Sequence, residues 1–237
     1  MLCAGLWGLW GLAAPHTAMG ASPLVPGSGK LVVQVRDDFE DPEWNYVPNN
    51  PKSSQDLDGR SRTPVGYSTN GLWIESIGRG HPDIVRRVET PPGGLEGSQG
   101  ALLIQSLHTG VPHRTSSENG QDVLLLNARR RLGSTLSTSI SPNCTVRVFL
   151  PPWDQWENRT GASFALRANA AGEKPGNPRE LEPFWPGIFI KFNSKTDRRY
   201  AEDSAGLLIR AGERGNDYMI KKIAEPGWWT LGMSFTP

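Results

Sequence analysis

Apolar and polar positions alternate over several short runs of this chain. In Thr145–Leu150, Val146, Val148 and Leu150 fall on one side, and Thr145, Arg147 and Phe149 on the other. In Gly187–Phe192, Ile188, Ile190 and Phe192 oppose Phe189 and Lys191. A period of two marks a half-buried strand. Further short runs, rich in β-branched and aromatic residues, predict strands at Leu31–Val35, Leu72–Ile77, Ile84–Val88, Ala101–Leu107, Asp122–Leu126, Ala162–Arg167, Gly206–Arg210, Tyr218–Ile223 and Trp228–Phe235. Two packed antiparallel sheets need this one-face-in pattern. The predicted class is all-β, an antiparallel β-sandwich. No segment has the length and period of an ordinary helix, and Arg199–Ser204 reads as a short turn.

Between these runs the connections are long and polar. Residues 41–70 hold Pro42, Pro48, Pro51 and Pro64 among Asn, Ser and Asp, and residues 169–184 contain AAGEKPGNPRELEP. Proline cannot donate to a ladder, so both segments are expected to be surface loops, where binding functions often reside. Trp228–Phe235 reads as a core strand, yet the sequence stops at Pro237. Either that strand lies at an edge, or the last strands of the sandwich lie beyond this sequence.

The first residues suggest export. Leu2–Ala14 is apolar and uncharged, and Ala18-Met19-Gly20 has the small-x-small form of a signal-peptidase site. No Lys or Arg precedes the apolar stretch, and a buried N-terminal strand or helix is the other reading. The stretch is shorter than the ~20 apolar residues that span a bilayer. The expected organisation is a signal peptide over 1–20, a flexible lead-in over 21–30 and one β-sandwich domain over 31–237. The expected location is secreted, or the periplasm and cell envelope.

Composition narrows the picture. With 27 Gly and 20 Pro, the chain suits many strands joined by turns rather than a helical bundle. A formal charge of +1 gives no electrostatic case for nucleic acid or an anionic membrane. Removing Cys3 with the signal would leave Cys144 alone, without an intramolecular disulfide. No His neighbours Cys144 in sequence, so it reads as a small semi-buried residue rather than a nucleophile.

Candidate chemistry gathers in the loop Pro151–Arg159, which mixes Trp153 and Trp156 with polar side chains. Sugars bind through aromatic faces that meet their C–H surface and polar groups that meet their hydroxyls. The competing reading has both rings capping the core, where Trp usually resides. Trp185, beside Phe184 and Pro186, forms a second aromatic cluster with the same two readings. Trp228 and Trp229 are adjacent on a strand, so one of them must face the core. Arg147 and Lys191 sit in strands where charge is unexpected and could meet an acidic or hydroxyl-rich sugar. For Arg210 and Lys221 a solvated outer face is the preferred reading. Trp44, Tyr46 and Trp73 remain unranked loop or face aromatics. The sequons at Asn143 and Asn158 matter only in a pathway that glycosylates them. No cofactor is required. A structural Ca²⁺ near Asp37, Asp38, Glu40 and Asp41, or near Asp154 and Glu157, competes with plain turn capping. His81, His108 and His113 lack zinc-type spacing and read as surface-loop residues.

Two passages carry a family resemblance. Arg36–Trp44, with Asp37-Asp38-Phe39 ahead of Trp44, resembles the opening of secreted jelly-roll domains, and Gly227–Phe235 resembles their late Gly-Trp strand. Gly187–Phe192 and Gly206–Arg210 fit the middle strands. Together they resemble the concanavalin A-like lectin/glucanase superfamily over most of residues 31–237. The resemblance implies a jelly roll of two curved sheets with a concave face. It leaves function open, because lectins, hydrolases, lyases and adhesion modules share that fold. The Glu-x-Asp-x-x-Glu motif of one glycosidase family is absent, as is the Gln-x-His of sandwich lyases. The expectation is a secreted, non-catalytic carbohydrate-binding module using Trp153, Trp156, Arg147, Lys191 and Trp185. The alternatives are a polysaccharide-degrading enzyme of the same fold, with Asp154, Glu157, Arg147 and Lys191 as candidates, and a structural or adhesive module. The expected partner is a glycan, with no nucleic acid and no transmembrane segment.

Overall fold

The computed structural model describes residues 24–111, 120–174, 176–211 and 216–236. The signal segment, Cys3 and His113 lie outside the described residues. Fourteen strands form among them: β1 (Tyr46–Val47), β2 (Tyr67–Ser68), β3 (Trp73–Glu75), β4 (Ile84–Glu89), β5 (Gly100–Gln105), β6 (Leu124–Leu126), β7 (Asn143–Leu150), β8 (Ser163–Arg167), β9 (Ala170–Lys174), β10 (Asn177–Phe184), β11 (Gly187–Asn193), β12 (Ser204–Arg210), β13 (Asp217–Ile223) and β14 (Gly227–Ser234). Among the described residues helix is confined to α1 (Gln55–Asp58), α2 (Ala128–Leu132) and three 3₁₀ turns. At 39% strand and 9% helix, with antiparallel ladders and no closed barrel, the chain is an all-β sandwich. No described helix is long and apolar enough to cross a membrane.

The sandwich core follows from the alternation in the sequence. β7 and β14 pair antiparallel, with Val148 opposite Trp229 and Val146 opposite Leu231. Their inner face packs on a four-stranded sheet ordered β13-β12-β11-β8. Leu150, Ile190, Ala205, Ile223 and Leu231 are the buried centre, with Val146, Val148, Phe164, Leu166, Ile188, Leu207 and Trp229 around them. Full burial of each large aliphatic side chain here stabilises by roughly 1.5–3 kcal/mol. Trp229 faces this core, whereas Trp228 lies on the outer face against Phe149 at 5.4 Å. The tip of the β4/β5 hairpin covers that outer face, and Pro92 O accepts the Trp228 indole N–H at 3.0 Å.

The second half is organised differently. β1, β2, β3 and β6 form a small antiparallel sheet whose surroundings bury charge as well as apolar rings. Here the sequence expectation needs correction. The segment 41–70 is no plain surface loop: it supplies β1, β2 and α1, and it buries Lys52, Ser54 and Arg62. Proline breaks the period that would reveal strands, and buried polar contacts join the short β1–β2–β3 ladder in fixing this segment.

Three smaller corrections follow. Leu31–Val35 forms no strand, and Val33–Val35 is a 3₁₀ turn with Val33 exposed. Residues 170–174 and 177–184 form a two-stranded ribbon, β9/β10, which pairs with no other described strand and so tolerates proline within β10. Cys144 is free and exposed rather than semi-buried. At the margin of the four-stranded sheet, β13 carries Tyr218, Met219 and Ile220 in exposed positions.

Candidate functional site

The five residues singled out in the sequence fall in three places. Trp153 and Trp156 close one end of the sandwich core. Trp156 stacks on Phe192 at 5.5 Å, Trp153 lies 5.8 Å from Trp156, and both pack against the buried cluster. Their indole N–H groups are used internally, Trp153 on Ala224 O at 2.8 Å and Trp156 on Pro151 O at 3.1 Å. Arg147 lies over the Trp228 ring at 5.3 Å on the outer face of β7/β14 and donates to Gly93 O at 3.3 Å. Trp185 and Lys191 belong to a third place, the outer face of the four-stranded sheet.

Strand register builds that third place in rows. Gly187 on β11 lies opposite Arg167 of β8 and Arg210 of β12, and Arg210 lies opposite Asp217 of β13. The next outward row holds Ala165, Phe189, Leu208 and Met219. The row after that holds Ser163, Lys191, Gly206 and Lys222. From Gly187 to Lys191 the strand runs roughly 13 Å. Gly187 is required where it stands, because a Cβ there would lie 2.9 Å from Arg167 Cγ and 3.2 Å from Phe189 Cε2. With that position bare, Arg167 extends over the rings of Trp185 at 5.4 Å and Phe189 at 5.9 Å. Arg210 covers Phe189 at 4.8 Å and makes a two-point ion pair with Asp217 at 2.8 and 3.1 Å.

This face is open. Ser163, Lys191, Asp217 and Met219 are exposed, and Trp185 is 38% exposed. A shallow cleft of about 260 Å³ is lined by Gly161, Ser163, Phe189, Lys191, Leu208 and Asp217. A second depression of about 210 Å³ adjoins Tyr200, Met219 and Lys222, and the buried Ser204 hydroxyl beside it has no hydrogen-bond partner.

Sequence reasoning missed a polar centre in the other half. Glu75, 0% exposed, accepts from Arg62 Nε at 2.8 Å and from the Asn49 N–H at 2.8 Å. Arg62 Nη1 also donates to Pro51 O at 3.1 Å. His81 Nδ1 lies 2.7 Å from Pro82 O, which can only accept, so Nδ1 carries the proton and Nε2 faces Glu75 Oε1 at 3.8 Å. Burial, and then the Glu75 charge, push the Tyr46 hydroxyl well above its ordinary range, so it remains protonated. Nearby, Lys52 Nζ donates to Asp122 at 2.7 Å and Asp83 at 3.0 Å. His81 is thus a buried residue, against the surface reading, and His108 donates its backbone N–H to Asp83 at 3.0 Å. An Arg or Lys inside a proline-rich stretch carries no periodic signal of burial. The centre is closed: a Cβ on Gly66 would come within 2.3 Å of Glu75 Oε1.

The acidic run near the N-terminus is held by donors. Asp37 Oδ2 accepts the Trp73 indole at 2.8 Å, the Asn70 amide at 2.9 Å and the Trp44 indole at 3.1 Å. Glu40 accepts from Gln99 N–H and Ser98 Oγ, and Asp41 from Glu43 N–H. Glu157 is engaged by Arg159 at 3.1 Å. Among the described residues no group of three or more His, Cys, Asp or Glu side chains is placed to hold a metal ion. No family model, curated protein or solved structure matches the chain.

Proposed function

We propose that this chain is a secreted or envelope-associated, non-catalytic glycan-binding β-sandwich of the concanavalin A-like kind. Its binding surface is the outer face of the four-stranded sheet. The observation that carries the reading is the open row in which Arg167 lies over Trp185 and Phe189, with Lys191 and Ser163 further along the same face. Ring faces and long polar side chains on one shallow surface suit a saccharide chain, whose C–H faces and hydroxyls alternate along its length. Trp153 and Trp156 fit a structural role better, because their indole donors and one ring face are already engaged. Hydrolysis by a carboxylate pair needs two such groups across the scissile bond. The four strands of this face offer Asp217 alone, and it is tied to Arg210.

The test is a glycan-array measurement on the full chain. Trp185→Ala and Lys191→Ala are expected to abolish or sharply weaken binding with the fold intact, as read by circular dichroism. Absence of binding to every glycan by a folded protein overturns the reading and leaves a structural or adhesive role.

A further inference from the structure

We propose that the Arg167 end of this face selects acidic saccharides, gripping a carboxylate or sulfate oxyanion carried by the sugar. The inference rests on the glycan-binding reading above and goes one step further, to the charge of the ligand.

Arg167 and Arg210 flank Gly187 and both lie over the Phe189 ring. The charges of Arg210 and Arg79 act against that of Arg167, and Asp217 acts with it. Asp217 is already committed to Arg210 by two hydrogen bonds, and Arg79 is paired with Asp56. Arg167 therefore has no carboxylate of its own among the described residues. Its Nε is enclosed without an acceptor. Burial first, and then the repulsion of Arg210 and Arg79, hold its pKa below the ordinary arginine value, though a guanidinium stays charged at neutral pH. A half-buried guanidinium with no carboxylate of its own, beside two that have one, is an unfavourable arrangement in the free protein. An anion arriving from the solvent side relieves it.

The geometry supports recognition rather than mere attraction. Trp185 and Phe189 hold the guanidinium through their ring faces, so its fork is oriented before a ligand arrives. With Nε enclosed, a planar carboxylate or a sulfate arriving from solvent would accept from the two terminal nitrogens, Nη1 and Nη2. The sugar ring carrying that oxyanion would then rest near exposed Trp185, with the rest of the chain directed toward Lys191.

The experiment compares three probes on the full chain by calorimetry: a neutral β-glucan hexasaccharide, an oligo-uronate of equal length, and a sulfated oligosaccharide of equal length. One of the acidic probes is expected to bind at least about tenfold more tightly than the neutral one, the size of one charge-assisted hydrogen bond. The probe that wins identifies the oxyanion. Arg167→Gln is expected to bring the acidic and neutral affinities together, so that their ratio falls to about one, and Arg167→Lys to restore little of the ratio, because an ammonium lacks the fork. Should Arg167→Gln fail to fold, Arg210→Gln and the salt dependence of the wild-type protein carry the test. Loss of the acidic preference with added salt, at constant neutral affinity, supports the proposal. Equal binding of neutral and acidic probes overturns it and leaves the glycan reading standing. Binding of no saccharide overturns both. Equal binding of polyphosphate and the acidic sugars also overturns it, since the face would then read charge without sugar.

Discussion

Ile190 and Glu75 are both 0% exposed, and they are held in place by opposite means. Ile190 sits among Leu150, Ala205, Ile223 and Leu231, where contact is non-directional and any side chain of similar volume serves. Glu75 sits among Arg62, Tyr46, His81 and the Asn49 N–H, where each group requires the next. A buried ion pair contributes little net stability over well-packed apolar residues, but its half-removal leaves a bare charge in a low dielectric. The sandwich half should therefore degrade gradually under substitution, and the polar half abruptly.

The largest expected effect breaks the polar half at its centre. Glu75→Ala leaves Arg62 buried and uncompensated and should destabilise the fold by about 3–5 kcal/mol, measured by urea unfolding. Ile190→Ala should cost about 2–5 kcal/mol through lost contact and cavity formation. Ile190→Val should cost about 0.5–1.5 kcal/mol, a graded series that Glu75 variants should not show. The double variant Arg62→Met, Glu75→Leu sharpens the comparison. Its loss should be smaller than that of Glu75→Ala alone, and a larger loss would mean that the pair carries net stability of its own. Trp153→Phe keeps a ring against the core but deletes the bond to Ala224 O, and should cost about 1 kcal/mol.

The smallest effect separates the halves by pH. Burial would raise the Asp83 pKa, but the N–H groups of His108 and Leu107 and the Lys52 ammonium outweigh it and hold it below the ordinary value. A carboxyl whose folded pKa is depressed contributes stability above its unfolded pKa, ~3.9, and loses it as pH falls through the folded value. Stability of the wild type should therefore drop on acidification below about pH 4 more steeply than that of Asp83→Asn, as read by thermal unfolding at stepped pH.

How much was legible follows the same divide. In the sandwich several strands showed a period of two, and the inward set in β7 and β11 lies in or against the buried cluster, with Phe192 buried beside it under Trp156. The face carrying Lys191 was legible from that alternation as well. Its partners were less so, because Arg167 and Arg210 come together only through the register across Gly187, which no local pattern encodes. The polar centre left no trace at all. Lys52, Arg62 and His81 are residue types that water usually keeps, and their burial depends on partners far away in sequence, such as Asp122 for Lys52. The Trp153 and Trp156 pair could be ranked as either cap or platform until the fate of the indole N–H groups was visible.

The exposed apolar stretch on β13 has a consequence for how the protein survives at high concentration. Among the described strands β13 ends its sheet, which leaves one row of its backbone donors and acceptors to template another strand, and Tyr218, Met219 and Ile220 make that template sticky. Lys221 and Lys222 follow immediately in the same strand. Lys222 pairs with Glu202 at 3.0 Å and Lys221 lies over the Trp229 ring, so charge flanks the apolar stretch and works against edge-to-edge pairing.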